Sequence, residues 1–434
     1  MKPRYGPDVR ALAVSDLTVA ASELSAKRKG GGAGIDGWYP YYAGFSYHFA
    51  RQVLSALCVS PRAVVLDPWN GSGTTTAAAA HLGYSAVGFD LNPATVVIAR
   101  AKLAGRETVA GLCADARRCL TAARSEASVL TTANNADLLN DWLPRRVAAL
   151  TRAAMAWLMR RDGVSSASKL QPNSALVALT IMRALREIAV DHTRSNVTWL
   201  QPRARVLSED TDKLVARVMS HAMAICATES LVPERVARKA RVATGDARTL
   251  SIPSESIDVV LSSPPYCTRI DYAKQTAFEL AVVEASGPTK LRDLREQLMG
   301  TTTLRGISAD VGDELPPAVK RVLAAIAAHP SHRSREYYSR NFHQYFVDAV
   351  QAVKEVARVL KRGGKGVLVL QNSYYKEIEI ALTDLMSAIA EQYSLKASIV
   401  ARRPVGRHMT QLNTKSRAYK LHRHYTEDVL LLRK

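Results

Sequence analysis

Long apolar runs, paired cysteines and metal-type cysteine spacings are all missing from this sequence of 434 residues. No apolar run reaches the roughly 18–20 residues that a membrane-spanning helix needs, which argues against a membrane protein. Residues 1–12 carry charges and proline without an apolar stretch, so we expect no signal peptide. The five cysteines form no CxxC pair, which favours reduced thiols over disulfides or a zinc site. We therefore expect a cytoplasmic protein with no membrane anchor and no metal.

Acidic residues are also few compared with basic ones. The chain has 59 Lys and Arg against 39 Asp and Glu, which gives a formal net charge of +20. A field of that sign attracts polyanions, so the charge favours a nucleic-acid partner over a merely soluble basic protein. With 47% hydrophobic residues, the chain can bury a core of one large or two medium domains.

Strand-like and helix-like segments alternate in a way that predicts a doubly wound parallel sheet. Short apolar runs at 64–67 and 86–90 read as buried strands, and each precedes a helical pattern, at 74–83 and 92–105. The pattern returns at 241–250 and at 257–266, where a strand runs into a proline-rich loop, and further strands are predicted at 367–373, 395–401 and 428–432. Further helices are predicted at 343–361, closed by Gly363 and Gly364, and at 377–391. We expect residues 285–340 to be irregular.

Residues 106–240 interrupt this alternation. They are rich in Ala, Leu and Arg, with helical spacing at 142–162 and 174–190. We interpret 106–240 as a helical insertion and a candidate target-recognition region, with residues such as 194–199 suited to base or phosphate contacts. A structural cap over the sheet and a partner-binding surface are the alternatives. Residues 36–105 and 241–434 then form the main domain. Residues 1–35 form an N-terminal arm, which ends in most of a basic and then glycine-rich stretch at 24–36.

A glycine-rich segment follows the first predicted strand directly. We name Asp67–Thr75, with the sequence DPWNGSGTT, the glycine turn. Glycines there let the backbone pass close to a ligand, and the next helix offers free N–H groups. No Lys follows the glycines, which excludes a phosphate-binding P-loop, and the third glycine of a dinucleotide fingerprint is missing.

Two aspartates are candidates for binding a nucleoside-like ligand. Asp90 ends the second strand, where an acid can accept hydrogen bonds from both ribose hydroxyls. The alternative for Asp90 is an ordinary N-cap of the helix at 92–105. Asp246 precedes the strand at 257–266 and is placed to accept a hydrogen bond from an adenine amino group, a role for which Asp115 competes.

The most specific pattern is Ser263-Pro264-Pro265-Tyr266, which we name the SPPY loop. Two prolines stiffen the loop and remove N–H donors, so its carbonyls stay available as acceptors. The Ser263 hydroxyl and a proline carbonyl can then hold an amino group by its two hydrogens, and Tyr266 can stack on a planar base. The alternative is a turn that has this sequence by chance.

Together these segments resemble the amino-methyltransferase family. The glycine turn is similar to motif I, usually DPFxGSGTT, with Trp69 in place of Phe, and residues 262–266 are similar to motif IV. Residues 41–57, 88–103 and 358–373 resemble the segments that accompany these motifs, and the resemblance covers roughly 36–105 and 241–434. It implies an α/β fold with a Rossmann-like, doubly wound class I methyltransferase sheet that carries a large helical insertion. It also implies S-adenosyl-L-methionine as cofactor, bound by Asp67, Pro68, Asn70, Gly71, Gly73, Thr74, Thr75, Asp90, Asn92 and Asp246.

The activity that the resemblance implies is methylation of an exocyclic amino group of a base in DNA, with Ser263, Pro264, Pro265 and Tyr266 as the catalytic residues. In the family, Ser before Pro-Pro-Tyr leans towards cytosine N4 and Asp towards adenine N6. A carbon-5 cytosine methyltransferase would need a nucleophilic Cys, typically in a Pro-Cys dipeptide, and this chain has no Pro-Cys dipeptide. We expect Cys267 to be a packing residue. Adenine N6 methylation, RNA base methylation and a catalytically decayed DNA-binding subunit remain open as alternatives.

A base inside a duplex must be flipped out before it can react, and the basic surface would hold the DNA backbone. The segment 402–424 has no acidic residue and is the candidate DNA-facing loop, with a solvated tail as the alternative. Its predicted DNA-binding residues are Arg402, Arg403, Arg407, Lys415, Arg417 and Lys420. A restriction or other defence system is a possible source of partner proteins.

Overall fold

A computed structural model describes residues 34–41, 44–58, 60–130, 137–190, 211–228, 232–267, 271–284, 288–301, 314–331, 334–405 and 423–434. The strands are β1 (Val64–Asp67), β2 (Ser85–Asp90), β3 (Ala240–Thr244), β4 (Ile257–Ser262), β5 (Leu360–Gln371), β6 (Ser373–Tyr375), β7 (Ile378–Ile380), β8 (Lys396–Pro404) and β9 (Thr426–Arg433). The helices of the first half are α1 (Tyr47–Leu57), α2 (Thr74–His81), α3 (Pro93–Ala101), α4 (Arg106–Leu130), α5 (Arg145–Asp162), α6 (Pro172–Ala189) and α7 (Thr211–Cys226). Those of the second half are α8 (Glu234–Ala237), α9 (Tyr272–Gln275), α10 (Ala277–Val283), α11 (Pro288–Gln297), α12 (Pro317–Ala328), α13 (Ser339–Val359) and α14 (Leu382–Gln392).

Seven strands form the central sheet, in the order β3-β2-β1-β4-β5-β9-β8. The five strands from β3 to β5 are parallel, and β9 runs antiparallel to both of its neighbours, β5 and β8. The chain moves outward from β1 to β2 and β3, and then returns to place β4 on the other side of β1. The strand order therefore reverses between β1 and β4, and open α/β sheets bind their ligands outside the carboxyl ends of the strands at such a point.

Side chains alternate between the two faces of the sheet, as the pleat requires. Val65 and Val259 pack on one face with α1 and α2. Leu66 and Val260 pack on the other face with α13, where Phe346 is fully buried. Helices thus cover both faces, and the predicted doubly wound α/β class is confirmed.

The predicted insertion is helical. Its described residues form α4 to α8 with two short 3-10 helices and add no strand to the sheet before Ala240. Of these helices, α4 to α7 share one apolar core with α3 and α10. Arg100 of α3 joins the two parts directly, because its Nε donates to the Val242 carbonyl at 2.9 Å and its Nη1 to the Leu170 carbonyl at 2.9 Å. The insertion is therefore built into the fold and does not pack as a separate body.

Three details differ from the sequence-based expectations. Residues 285–340, expected to be irregular, contain α11, α12 and a short π-helix at Ser334–Tyr338. Gly363 and Gly364 do not close a helix, since α13 ends at Val359 and both glycines lie within β5. The register shifts there: Ile257 pairs with Leu360 but Val259 with Lys365, so β5 bulges and Gly363 takes a φ of +77°. A hairpin of β6 and β7 precedes α14.

Among the described helices, none has the length and apolar character to cross a membrane.

Candidate active site

A cleft lies at the carboxyl ends of the parallel strands β1 to β4. Its volume is about 850 Å³ including its open mouth. The loops after all four strands contribute to the lining. The lining residues are Tyr41, Pro68, Trp69, Gly71, Asp90, Leu91, Asn92, Thr95, Gly245, Asp246, Ala247, Arg248, Ser263, Pro264, Pro265, Tyr266, Tyr272, Leu298 and Met299. All four residues of the SPPY loop are therefore in the same cleft as part of the glycine turn.

The glycine turn is folded tightly between β1 and α2. The Asn70 N–H donates to the Phe89 carbonyl at 2.8 Å, and the Gly73 N–H donates to the Asn70 carbonyl at 2.8 Å. Gly73 has a φ of +82°, and a Cβ added to it would lie 2.6 Å from the Ala99 Cβ. Only glycine satisfies both conditions, because a side chain there would be strained and would collide with α3. Thr74, at the start of α2, is buried and does not line the cleft.

Two residues predicted to bind cofactor instead join the glycine turn to β4. The Ser262 hydroxyl donates to Asp67 Oδ1 at 2.5 Å, and the Thr75 hydroxyl donates to the Leu261 carbonyl at 3.1 Å. Asp67 is buried, and burial raises its pKa to about 6. Neither Asp67 nor Thr75 lines the cleft, so their side chains connect the strand before the glycine turn with the strand before the SPPY loop.

Asp90 faces the cleft from the end of β2. Its Oδ2 accepts from the Gly71 N–H at 2.9 Å and its Oδ1 from the Asn92 N–H at 2.8 Å. Burial raises the pKa of this carboxyl group. The N-cap of α3 is Asn92, whose Oδ1 accepts from the Ala94 N–H at 3.0 Å. Asp90 is thus not the cap, and its carboxylate, which the Thr95 side chain also approaches, keeps acceptor capacity for a ligand.

Asp246 also lines the cleft, and it is paired with Arg248. The Arg248 Nη2 lies 2.6 Å from Asp246 Oδ2, and its Nη1 donates to Asp348 at 2.8 Å. Asp115 lies instead in α4, where it pairs with Arg161 at 3.1 Å, and it is not among the residues that line the cleft. Of the two competing aspartates, Asp246 is the one at the cleft, and its role towards a ligand stays a prediction.

The SPPY loop has its polar groups held by three surrounding elements. The Ser263 hydroxyl donates to the Val369 carbonyl of β5 at 3.1 Å. The Tyr345 hydroxyl donates to the Pro265 carbonyl at 2.8 Å, and the Tyr266 N–H donates to the Tyr272 hydroxyl at 3.0 Å. Because the Ser263 proton is directed at β5, the Oγ lone pairs are left as acceptors. Cys267, just after the loop, is buried in the core, and burial raises the pKa of its thiol, as expected of a packing residue.

Several residues of the site were not predicted from sequence. Tyr41 packs on the glycine turn, because a Cβ at Gly71 would lie 3.3 Å from its ring. Lys102 is buried, and its Nζ donates to the Ser72 hydroxyl at 3.1 Å. Tyr41 falls in a segment that resembles the family, 41–57, which was a usable signal. Leu298 and Met299 follow α11 and reach the cleft only through the tertiary fold, so no local pattern marks them.

The predicted DNA-binding residues are described only in part. Arg402 lies on β8 and binds the buried Asp428 of β9 with two nitrogens, Nε at 2.9 Å and Nη2 at 2.8 Å. Arg403 follows on the same strand. Arg407, Lys415, Arg417 and Lys420 lie outside the described residues, as do residues 194–199 of the insertion. DNA contact by this segment stays a prediction.

Sequence comparisons agree with this geometry. Residues 25–101 match a family model for N6/N4 methyltransferases, described as DNA methylase. The chain is 23% identical over 297 residues to the type II methyltransferase M.BsoBI of Geobacillus stearothermophilus, and 26% identical over 161 residues to M.AvaI of Nostoc. The resemblance to the amino-methyltransferase family is thereby confirmed. These matches cover 62% and 35% of this chain and 56% and 33% of the two relatives, so the chain spans at most about half of their length.

The amino-methyltransferase family model covers the glycine turn and Asp90 but ends before the SPPY loop. Solved structures align only weakly with this chain. The rRNA methyltransferase aviRa of Streptomyces viridochromogenes has a TM-score of 0.26 at 11% identity, over 97% of this chain and 94% of its own. The YcgJ protein of Bacillus subtilis has a TM-score of 0.32 at 10% identity, over 89% and 99%. The fold class therefore rests on the strand order and the two covered faces of the sheet.

Proposed function

We propose that this chain is an S-adenosylmethionine-dependent DNA methyltransferase that methylates the exocyclic amino group of a flipped base, with cytosine N4 as the acceptor. The observation that carries the proposal is the meeting of the glycine turn and the SPPY loop in one cleft, where the strand order reverses. The relatives M.BsoBI and M.AvaI are named as type II methyltransferases, which supports a DNA substrate and a restriction-modification setting.

The residues present suit S-adenosylmethionine. The carboxylate of Asp90 has lone pairs for the two ribose hydroxyls, beyond the bonds that it accepts from Gly71 and Asn92. Gly71 lines the cleft in a left-handed conformation and has no side chain to project towards a ligand, whereas Gly73 allows the turn to pack against α3. When bound, the cofactor supplies a methyl group on a sulfonium that is already activated for transfer.

The SPPY loop would prepare the amino group. An exocyclic amine is a poor nucleophile because its lone pair is delocalised into the ring. Ser263 Oγ and the Pro264 carbonyl would accept its two hydrogens, which localises the lone pair on nitrogen. Stacking on Tyr266 would hold the flipped base, at about 1–3 kcal/mol per base. Alignment of the amine with the methyl group can lower the barrier by up to ~7–11 kcal/mol.

Ser263 enters this scheme as an acceptor and not as a base, and the proton that the amino nitrogen must lose on methylation would pass to solvent at the open mouth of the cleft. The Ser263 hydroxyl proton is already donated to Val369, so the oxygen presents lone pairs to the cleft. A serine at this position also supports cytosine over adenine, following the preference in the family that the sequence resembles. Adenine N6 is the second candidate, because the matching family model spans both N6 and N4 enzymes.

The residues that recognise the DNA sequence and bind the DNA backbone would lie outside the cleft. We assign residues 106–240 to target recognition and residues 402–424 to the DNA backbone, with 36–105 and 241–434 as the catalytic domain and 1–35 as an N-terminal arm. Basic residues of the C-terminal segment suit phosphate contacts. Because the insertion shares its core with α3, its recognition role is best tested by exchanging exposed side chains and leaving the core intact.

The decisive experiment is nucleoside mass spectrometry of duplex DNA treated with the protein and S-adenosylmethionine. We expect N4-methylcytosine from the wild type. Tyr266→Ala should lose most methyl transfer while cofactor affinity, measured by calorimetry, is unchanged. Ser263→Ala should slow the chemical step more than it weakens DNA binding.

Tyr393→Ala is the matched control, since Tyr393 is half-buried outside the cleft and its hydroxyl binds Glu314. It should transfer methyl groups at the wild-type rate. N6-methyladenine would select the second candidate. A 5-methylcytosine product, or full activity in Tyr266→Ala, would overturn the mechanism.

A further inference from the structure

The SPPY loop leaves one of its two proline carbonyls available. The Pro265 carbonyl accepts from the Tyr345 hydroxyl at 2.8 Å, whereas no described residue donates to that of Pro264. Neither proline has an N–H to donate. The next backbone N–H, that of Tyr266, is bound to the Tyr272 hydroxyl at 3.0 Å. Two tyrosines from outside the loop therefore determine which backbone groups of the loop remain open to a ligand.

Tyr345 comes from the first half of α13, on one covered face of the sheet. Its side chain is 2% exposed, and burial raises the pKa of its hydroxyl well above the usual value, so the hydroxyl keeps its proton and stays a donor. Gly300 closes the other side of this contact. A Cβ at Gly300 would lie 3.5 Å from the Tyr266 carbonyl oxygen and 3.6 Å from Cδ2 of the Tyr345 ring. Gly300 thus lies beside this contact, and the buried Tyr345 hydroxyl donates to the Pro265 carbonyl.

Tyr272 is fixed from the cofactor side of the cleft. It starts α9, whose N-cap Asp271 accepts from the Lys274 N–H at 3.0 Å and pairs with Arg295 of α11 at 2.7 Å. At the other end of α9, the Thr276 hydroxyl accepts from Asn92 Nδ2 at 2.7 Å. Asn92 in turn donates its own N–H to Asp90. A continuous series of hydrogen bonds and short helical segments therefore runs from Asp90 to the SPPY loop.

We propose that Tyr345 and Tyr272 are positioning residues that orient the SPPY loop so that Ser263 Oγ and the Pro264 carbonyl converge on the amino group. Tyr345 occupies the competing carbonyl of Pro265, and Tyr272 fixes the peptide that carries the stacking residue Tyr266. We assign neither hydroxyl a contact with the DNA backbone, and although Tyr272 lines the cleft, its hydroxyl accepts from the Tyr266 N–H. This inference rests on the proposed function, since it concerns how the same loop is held.

The test uses Tyr345→Phe and Tyr272→Phe, which remove only the hydroxyls and keep the rings that pack. Single-turnover methyl transfer to duplex DNA should slow by about tenfold to a hundredfold, since a small misplacement of reacting groups has effects of that size. The dissociation constants for S-adenosylmethionine and DNA should stay within about twofold of wild type. Tyr393→Phe, which removes a hydroxyl outside the cleft, should behave as wild type, and thermal melting would identify any variant that fails to fold.

A double-mutant cycle separates positioning from a general loss of stability. If Tyr345 acts through the acceptors of the loop, Tyr345→Phe should slow transfer much less in a Ser263→Ala background than in the wild type. Fully multiplicative effects would overturn the proposal, and so would loss of cofactor affinity in parallel with rate. Wild-type rates in both Phe variants would also overturn it while leaving the proposed function intact. Absence of methyl transfer by the wild-type protein would instead overturn the proposed function.

Discussion

Replacing Gly73 with alanine tests whether the glycine turn depends on close packing against α3. The left-handed φ of +82° should cost an alanine about 1–2 kcal/mol. The new Cβ would also lie 2.6 Å from the Ala99 Cβ and 2.8 Å from its Cα, distances that force backbone movement. Overpacking of this kind costs about 1–3 kcal/mol. We therefore expect Gly73→Ala to lower the free energy of unfolding by about 2–5 kcal/mol.

Gly83 is a matched control close to the other end of α2. It has nearly the same φ, +83°, but a Cβ there meets nothing within 4 Å. Gly83→Ala should therefore show the backbone strain alone, about 1–2 kcal/mol. Urea unfolding of both variants measures the difference that is due to the contact with Ala99. Calorimetry should find weaker S-adenosylmethionine binding in Gly73→Ala only, and equal effects of the two variants on stability and affinity would refute this account of the turn.

Three further predictions concern charged residues. Asp67 has a pKa of about 6 in the fold and near 3.9 when unfolded. The stability that its proton contributes is therefore complete below about pH 4 and is lost as the pH rises through 6. In urea titrations, the unfolding free energy of Asp67→Asn relative to wild type should then rise by about 3 kcal/mol between pH 4 and 8. Asp90→Ala should weaken S-adenosylmethionine binding at least about tenfold by calorimetry, because a hydrogen bond to a charged group is worth about 1.5–3 kcal/mol; unchanged affinity would remove Asp90 from the site. DNA affinity should fall steeply as the salt concentration rises. Replacing Arg402 by Gln together with Asp428 by Asn, so that no buried charge is left unpaired, should reduce the slope of log affinity against log salt concentration by about one unit. An unchanged slope would assign this ion pair to the fold alone.

Local sequence patterns predicted the strands and helices whose formation depends on a few neighbouring residues. The strands β1 and β2 are short apolar runs that end in Asp67 and Asp90, and each is followed by a helix. The helix expected at 92–105 begins at Pro93, and proline is favoured at the first position of a helix. These features depend on a few neighbouring residues, so sequence alone was sufficient to find them.

The glycine pair at 363–364 shows where a local pattern misleads. Glycine after a helical pattern normally indicates a helix end. Here Gly363 takes a positive φ inside a bulge of β5. The same freedom to adopt a positive φ suits a helix C-terminus and a strand bulge. Which of the two forms at Gly363 depends on pairing with β4, a strand about a hundred residues earlier in the chain. No window of sequence contains that information.

The candidate site divides in the same way. The SPPY loop was found from its own residues, and all four line the cleft. The direction of a side chain within a motif was not predictable, which is why Asp67 and Thr75 were assigned to the cofactor although they point to β4. Tyr272 and Tyr345 act on the loop from other elements, and their contacts exist only once the chain has folded.

The core that the insertion shares with α3 has a consequence for how this protein can change. The outer face of α3, with Val97 and Ile98, is covered by the insertion helix α6, where Leu176 and Leu179 are fully buried. Deleting residues 106–240 would expose that apolar face to water, directly behind the loop that carries Asp90. Under the recognition role proposed for the insertion, new sequence preferences would have to arise by exchange of its surface side chains. We also expect α3 and the insertion to unfold together in one cooperative step.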